Sequence, residues 1–486
     1  MSLLDPLVWT GKSFDGGWFA PLGGEYPVVE PATGHRLGTV GIANAEDVER
    51  AGARAAESQG EWARTSYEER ARILRRAGDL WHEHAADVEG WLVREAGSIP
   101  PKAAVETHGA ANECYEAAGL ASRPYGRLLP SALPRLSFSR RLPVGVVGVI
   151  SPFNFPLILS IRAVAPALAL GNAVLHKPDP RTAVSGGIAL ARIFEEAGLP
   201  PGVLHVLPGG PEVGEAIVAD PNVGVVAFTG STSAGRAVGR LAATHLKRVH
   251  LELGGNSALV VLEDADLERA ASAGAWGSFL HQGQICMTAG RHLVHDSLFE
   301  TYVERLAAKA DQLPVGDPST GPVALGPVID AGRRDRIHEL VTSSVDAGAR
   351  LAAGGTYEGL FYRPTVLADV TPAMPAYANE IFGPVAPVMS FSTLDEAAAL
   401  AAGSEYGLSL GILTRDVMKG LALAERIPSG IVHINDQTVN DEAHAPFGGV
   451  GASGTGSRLG GAEANVEAFT ETQWVTVRSE IAPYPF

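Results

Sequence analysis

Val144-Gly145-Val146-Val147-Gly148-Val149-Ile150, followed at once by Ser151-Pro152-Phe153-Asn154-Phe155-Pro156-Leu157, is the stretch on which the fold turns. Its first half is a short, uncharged run rich in β-branched residues, the pattern of a strand covered on both faces. Its second half is a loop that ends at Pro156, a residue suited to the first turn of a helix. The wider uncharged span from Leu142 to Ile161 is long enough to raise the question of a membrane helix. Pro143, Pro152 and Pro156, with Asn154 among them, break such a helix, so strand, loop and helix start are expected instead.

Similar runs recur at Ala173 to Lys177, Val203 to Leu207, Val223 to Phe228 and Val249 to Leu253, each separated by a helical pattern. This alternation is the mark of βαβ units and a parallel sheet, and it predicts a nucleotide-binding half. Upstream, Ala45 to Ala121 reads as successive helices; Ile73, Leu74, Ala77, Leu80 and Trp81 share one face, which makes this region a packing layer. Downstream, a second series predicts a helix near Asp264 to Gln282 and strands near Ala386 to Phe391, Ser409 to Thr414 and Gly430 to Asn435. His444 to Gly461 is crowded with glycine and reads as a loop, and Val466 to Val477 has strand character.

With 486 residues, 46% hydrophobic and 19% charged, the chain has the composition of a large globular protein. A formal charge of −16 repels phosphate backbones and anionic lipid, so neither nucleic acid nor membrane is an expected partner. Met1 to Trp9 lacks the basic segment of a signal peptide. Two widely spaced cysteines, Cys114 and Cys286, fit a reducing, cytoplasmic setting and leave a free thiol.

Cys286 lies in Gly283-Gln284-Ile285-Cys286-Met287-Thr288-Ala289-Gly290-Arg291, where flanking glycines permit close approach to a thiol. The alternative is a buried structural cysteine. Glu252, in Leu251-Glu252-Leu253-Gly254-Gly255-Asn256, is a carboxylate at the end of an apolar strand. It is either a solvated strand end, or paired, or a proton-transfer group of raised pKa. Asn154, set between two aromatics and two prolines, is either an oxyanion donor or a helix cap. Lys177 closes a strand at the ligand-binding edge of a parallel sheet, and Phe228-Thr229-Gly230-Ser231 leads into a helix whose amides suit phosphate.

In this order and spacing, these elements resemble the aldehyde dehydrogenase superfamily from about Pro31 to Trp474, and in particular its bacterial benzaldehyde and vanillin dehydrogenases. The motifs Lys177-Pro178-Asp179-Pro180-Arg181-Thr182 and Asn435-Asp436-Gln437-Thr438-Val439-Asn440-Asp441-Glu442 carry that finer likeness. The resemblance implies an α/β fold with a Rossmann-type cofactor domain (residues 1–122 and 144–253) and a catalytic domain (254–443). Oligomerisation segments at 123–143 and 466–486, and a glycine-rich return at 444–465, complete it. It implies NAD(P)-dependent oxidation of an aldehyde, aromatic by the likeness, to the acid, with Cys286 as nucleophile, Glu252 as general base and Asn154 as oxyanion donor. The implied cofactor set is Ile150, Ser151, Pro152, Phe153, Lys177, Asp179, Gly210, Gly214, Phe228, Thr229, Gly230, Ser231, Gly235, Leu253, Glu380 and Phe382. The implied substrate pocket is Phe155, Ile158, Ile285, Met287, His444 and Phe447, with no metal. A homodimer or homotetramer is expected on the same grounds.

Pro180 stands where many NAD-specific relatives carry a glutamate, while Asp179 and Arg181 pull in opposite directions; NAD is the expected cofactor and NADP the second candidate. Relatives that pass the acyl group to coenzyme A lack the glutamate found at Glu252, which favours the free acid as product. Thr288 stands where succinate semialdehyde enzymes commonly have a second cysteine. Two other readings are weaker. Gly407-Leu408-Ser409-Leu410-Gly411 matches a serine-hydrolase pattern, but a helix precedes it and a strand follows, the reverse of a nucleophile elbow. His82 and His84 are two apart on a helix and point in different directions, unlike zinc ligands spaced by four. A non-catalytic binding role is the third hypothesis.

Overall fold

The computed structural model describes residues 2–123 and 126–486. Met1 of the expected cofactor domain and residues 124–125 of the expected oligomerisation segment lie outside the described residues.

The first sheet runs in the spatial order Arg248–Glu252, Val223–Thr229, Val146–Ile150, Ala173–Lys177 and Leu204–Val206, all parallel. Two short antiparallel strands, Ser13–Phe14 and Trp18–Phe19, extend it at the far edge. Every residue of Val146–Ile150 and Ala173–Lys177 is buried, which is why these runs carry no alternation. The parallel part of the sheet starts in the middle at Val146, builds outward to Leu204, then crosses back to Val223 on the other side. That reversal places a topological switch point between Val146–Ile150 and Val223–Thr229, and ligands of such sheets bind beyond the carboxyl ends of strands there.

The second sheet has the order Arg350–Ala353, Thr365–Ala368, Val385–Phe391, Ala289–His295, Ser257–Val261, Ser409–Leu413 and Ile431–Ile434. It is parallel except for its first pair. A third, antiparallel sheet pairs Thr470–Val477 with Leu136–Pro143 and that strand with Gly126–Leu128. The helices Ala45–Arg64, Tyr67–Glu83, Ala85–Ala96 and Pro100–Leu120 fill the Ala45 to Ala121 region, with Ile73, Leu74, Ala77, Leu80 and Trp81 in the core.

Three local expectations are corrected. The helix expected from Asp264 to Gln282 spans only Leu267–Phe279, capped by Asp266, because the chain then turns through the left-handed residues His281 and Gln282. The strand expected from Val466 begins at Thr470; Ala462–Phe469 is a helix whose Asn465, Ala468 and Phe469 are buried, a spacing of three and four that outweighs the β propensity of Val466. The glycine-rich segment from His444 holds a short strand, Val450–Gly451, paired with Tyr406–Gly407. Leu142 to Ile161 divides into strand, loop and the helix Pro156–Ala169, and no helix among the described residues is long and apolar enough to cross a membrane.

Candidate active site

Cys286 sits on a loop that enters the central strand Ala289–His295 of the second sheet. Leading into it, His281 (φ 48°), Gln282 (φ 57°) and Gly283 (φ 65°) take left-handed backbone conformations in succession. Non-glycine residues pay for that geometry and hold it only where their surroundings enforce it. The enforcement is visible: Gln282 Nε2 donates to the carbonyls of Gly97 (2.9 Å) and Pro327 (2.8 Å), and Gln284 Oε1 accepts from the Ile329 amide at 3.0 Å. Gly283 admits no substituent, since a Cβ there would lie 2.0 Å from the Gly383 carbonyl oxygen. Cys286 is half-buried, with Ile285, Met287, Leu408 and Phe447 forming an apolar cluster around it and Phe155 packed at its side. Burial, then the nearby carboxyl groups of Glu380, Glu252 and Asp441, push its thiol up to about 12. Cys114, by contrast, is buried in the helical core and inaccessible.

Asn154 comes from the loop after Val146–Ile150 and is 3% exposed. Its Nδ2 donates to the Gln284 carbonyl at 2.8 Å, which ties the first sheet's loop to the segment two residues before the thiol. An amide nitrogen has two hydrogens, so one is left for another acceptor. The Asn154 backbone carbonyl accepts from Lys102 Nζ at 2.8 Å. Lys102 also donates to Ser98 Oγ at 3.0 Å and pairs with Glu106 one turn on; Glu106 Oε2 accepts from the Leu157 amide at 3.1 Å, at the start of the helix Pro156–Ala169. Lys102 and Glu106 thus fix both ends of the Asn154 loop. Sequence reasoning missed them, although a lysine and a glutamate four apart in an alanine-rich helix, both buried, are a signal of a specific partner.

Glu252 ends the strand Arg248–Glu252 and is 4% exposed. Among the described residues, neither carboxylate oxygen has a hydrogen-bond partner of good geometry. Burial raises its pKa well above the ordinary value, against the pull of Arg458, Arg162 and the Gly449 amide. The segment 447–459 closes over it: Leu253 N–H donates to the Ser453 carbonyl at 2.9 Å, and a Cβ at Gly448 would stand 2.7 Å from Glu252 Oε1. Of the three readings open for Glu252, the structure selects an unpaired buried carboxyl rather than a solvated or paired one.

Glu380 Oε1 accepts from the Gly255 amide at 3.0 Å, and burial raises its pKa to about 7. Phe382, at φ 54°, meets Phe153 edge to face at 6.0 Å, and these rings are covered by Arg333 and Arg181 respectively.

A cleft of about 780 Å³ opens at the switch point. Ile150, Lys177, Asp179, Gly210, Gly214 and Phe228 line it, with Val218, Val238 and Leu241 as an apolar wall. Lys177 is buried, and its only hydrogen bond among the described residues is a long one, 3.4 Å, to the Pro178 carbonyl. Gly235 and Leu253 line a neighbouring cleft of about 440 Å³. Other members of the expected cofactor set line neither cleft. Ser151 Oγ is engaged by Ser160 (2.7 Å) and His176 (2.9 Å), Gly230 N–H donates to the Glu252 carbonyl at 3.0 Å, and Ser231 caps the helix Thr232–Thr244. Thr229 is the last residue of its strand, and Pro152 is half-buried beside Phe153.

The expected substrate residues divide. Phe155, Ile285, Met287 and Phe447 gather at Cys286, while Ile158 and His444 line a cleft of about 700 Å³ bounded by the helix Pro100–Leu120, together with Arg162 and Asp441, whose charges act on the Cys286 thiol. Ser409 opens its strand instead of ending one, and its Oγ donates to the Thr438 carbonyl at 2.8 Å, so it has none of the setting of a hydrolase nucleophile.

Residues 18–475 match the model of the aldehyde dehydrogenase family. The chain is 69% identical over 486 residues to a vanillin dehydrogenase of Amycolatopsis sp., with both chains covered completely. It is 52% identical over 480 residues to an NAD(+) benzaldehyde dehydrogenase of Pseudomonas putida, covering 99% of this chain and 98% of that one. Among solved structures, the betaine aldehyde dehydrogenase of Staphylococcus aureus in complex with NAD+ superposes with a TM-score of 0.95 at 29% identity, covering 99% of this chain and 97% of that one. A half-buried thiol, a tethered amide and a buried carboxyl agree with that likeness, and the chain belongs to the aldehyde dehydrogenase family.

Proposed function

We propose that this enzyme oxidises aromatic aldehydes to carboxylic acids with NAD as hydride acceptor, using Cys286 as nucleophile, Asn154 as oxyanion donor and Glu252 as base. The observation that carries the reading is the hydrogen bond from Asn154 to the Gln284 carbonyl, which holds an amide with one free hydrogen beside the half-buried thiol. The substrate class follows from the relatives named vanillin and benzaldehyde dehydrogenase, and from the apolar cluster of Phe155, Ile285, Met287 and Phe447 around the sulfur.

The Cys286 thiolate attacks the aldehyde carbon, and the alkoxide formed is held by the second Asn154 hydrogen and the Cys286 amide, donors in place before charge develops. The chemistry a bound NAD would supply is that of hydride acceptor from that carbon, and loss of the hydride would leave a thioester on Cys286. Glu252 then takes a proton from a water that attacks the thioester carbon; the C–S bond breaks, the thiolate is regenerated and the acid departs. A carboxyl of raised pKa is a stronger base for this step than an ordinary one.

The cleft fits a dinucleotide. Lys177 offers for the adenosine ribose a buried ammonium without a salt-bridge partner among the described residues, and Val218, Val238 and Leu241 offer a slot for a flat base. Glu380 and Phe382 would hold the nicotinamide end. Arg181, the one group that argued for the extra phosphate of NADP, is already committed: Nε and Nη2 to Asp179 (2.9 and 2.8 Å), Nη1 to Asp330 (2.5 Å). With vanillin or benzaldehyde, kcat/KM is expected to favour NAD over NADP by at least about tenfold. Asp179→Asn, which loosens Arg181, should narrow the ratio. Absence of reduced cofactor with every aromatic aldehyde would overturn the reading, and a preference for NADP would overturn the account of Arg181.

Lys102 and Glu106 are positioning residues in this scheme. Lys102→Met combined with Glu106→Gln, which avoids a lone buried carboxylate, should lower kcat roughly 10- to 100-fold through a misplaced Asn154, with little change in KM. A rise in KM at unchanged kcat would contradict that role.

The segments 1–122 and 144–253 form the cofactor domain in this reading, and 254–443 the catalytic one. The three-stranded sheet exposes Leu128, Leu136, Trp474 and Val477, which suits assembly into a homodimer or homotetramer through 123–143 and 466–486. Two free cysteines, one of them the nucleophile, suit the reducing cytoplasm.

A further inference from the structure

Arg162 lies in the helix Pro156–Ala169 and is only 4% exposed. Its Nε donates to Glu113 Oε1 at 2.9 Å and its Nη2 to Asp441 Oδ2 at 2.5 Å. Its Nη1 is buried and, among the described residues, has no hydrogen-bond partner. A guanidinium N–H left unpaired inside a protein is costly, and such a group marks a place where a ligand oxygen is welcome. The three side chains line the cleft of about 700 Å³ together with His108, Asn112 and Ile158, and the scheme above uses none of them.

The position of this trio relative to the sulfur follows from two observations. Side chains on a helix lean toward its N-terminus, so Arg162 reaches back toward the Phe155–Pro156 end, where Asn154 stands. Its guanidinium covers the Phe447 ring at 5.0 Å, and Phe447 belongs to the apolar cluster that packs on Cys286. An aldehyde held at Cys286 against Phe447 therefore has Arg162 at its far end. The charge at that end is also fixed. One cation faces two carboxyl groups, and burial raises the pKa of Glu113 to about 7, so the trio carries no net positive charge. A carboxylated substrate meets no attraction there, whereas a neutral oxygen finds a donor that is otherwise idle.

We propose that Arg162 Nη1 binds a neutral oxygen substituent on the aromatic ring, a hydroxyl opposite the aldehyde, while Glu113 and Asp441 hold the guanidinium and cancel its attraction for carboxylated aldehydes. This rests on the aromatic-aldehyde reading and adds a specificity-determining residue to it. The test is kcat/KM of the full-length enzyme with 4-hydroxy-, 4-methyl- and 4-carboxybenzaldehyde, in the wild type, Arg162→Met and Asp441→Asn. Ratios between substrates within one variant cancel any general loss of rate or of folded enzyme. The wild type is expected to prefer 4-hydroxy over 4-methyl by roughly 10- to 100-fold, mainly through KM, as a charged donor to a buried oxygen allows. The 4-carboxy compound should fall below both.

In Arg162→Met the hydroxyl-to-methyl ratio should collapse toward one. In Asp441→Asn, which makes the trio more positive, the carboxy-to-methyl ratio should rise. A wild-type hydroxyl-to-methyl ratio near one overturns the proposal, as does an unchanged ratio in either variant. Should Arg162→Met fail to fold, the wild type and Asp441→Asn decide. Failure of the wild type to oxidise any of the three benzaldehydes would instead overturn the aromatic-aldehyde reading itself.

Discussion

Cys286→Ala is expected to lower aldehyde oxidation by roughly 10⁴-fold or more, the scale of loss when a covalent nucleophile is removed. Cofactor affinity, read by calorimetry, should stay nearly unchanged, because the Lys177 cleft is built from other residues. The backbone around position 286 is held by Gln282 and Gln284, not by the thiol, so truncation leaves the loop in place. With the thiol at about 12, little thiolate exists at neutral pH in the free enzyme, and labelling by iodoacetamide should accelerate as pH rises through 7 to 9. Oxidation at wild-type rates by Cys286→Ala would remove the thiol from the mechanism.

Glu252→Gln is expected to separate the two half-reactions. One equivalent of reduced cofactor per active site should appear rapidly, followed by a steady rate roughly 10²- to 10⁴-fold below wild type, since the water that hydrolyses the thioester loses its base. Mass spectrometry should find an acyl adduct on Cys286. Full steady-state turnover would contradict the assignment. The same change has a second consequence with a definite sign. Burial raises the folded-state pKa of Glu252 well above 4.5, so its ionisation works against folding as pH rises from about 4.5 through the elevated value. Glutamine carries no such charge. Glu252→Gln should therefore raise Tm at neutral and alkaline pH, and the gain should vanish below pH 4.5, where both side chains are neutral. A lower Tm for the variant at pH 8 would mean that the carboxylate has a partner the structure does not give it. A residue whose removal stabilises the protein and stops its turnover is the usual signature of a site kept for function.

Much of this enzyme is legible along the chain. The strands at Val146, Ala173, Leu204, Val223 and Arg248 stand out because a strand buried on both faces needs an uncharged run, whatever packs on it. Helix ends were less visible. Val466 and Phe469 suit a strand as well as a helix, and only the burial of Asn465, Ala468 and Phe469 on one face decides between them. The left-handed turn at His281 and Gln282 left no mark in the residues themselves, since neither is a type that favours it as glycine does.

The division is the same at the site. Sequence alone determined which groups are available: one thiol among glycines, a carboxylate at the end of an apolar strand, an amide between prolines, a lysine at a sheet edge. These are properties of neighbouring residues, and the chain carries them before it folds. Only the tertiary structure decided which charges are cancelled and which are left unpaired. Asp179 and Asp330 occupy Arg181, Glu113 and Asp441 occupy Arg162, and Lys102 braces Asn154, while Glu252 and Lys177 find no opposite charge among the described residues within reach of a salt bridge. Pairing of this kind depends on segments far apart in the chain arriving at one buried point, where the loss of water makes each partner, or its absence, count for far more than it would on the surface.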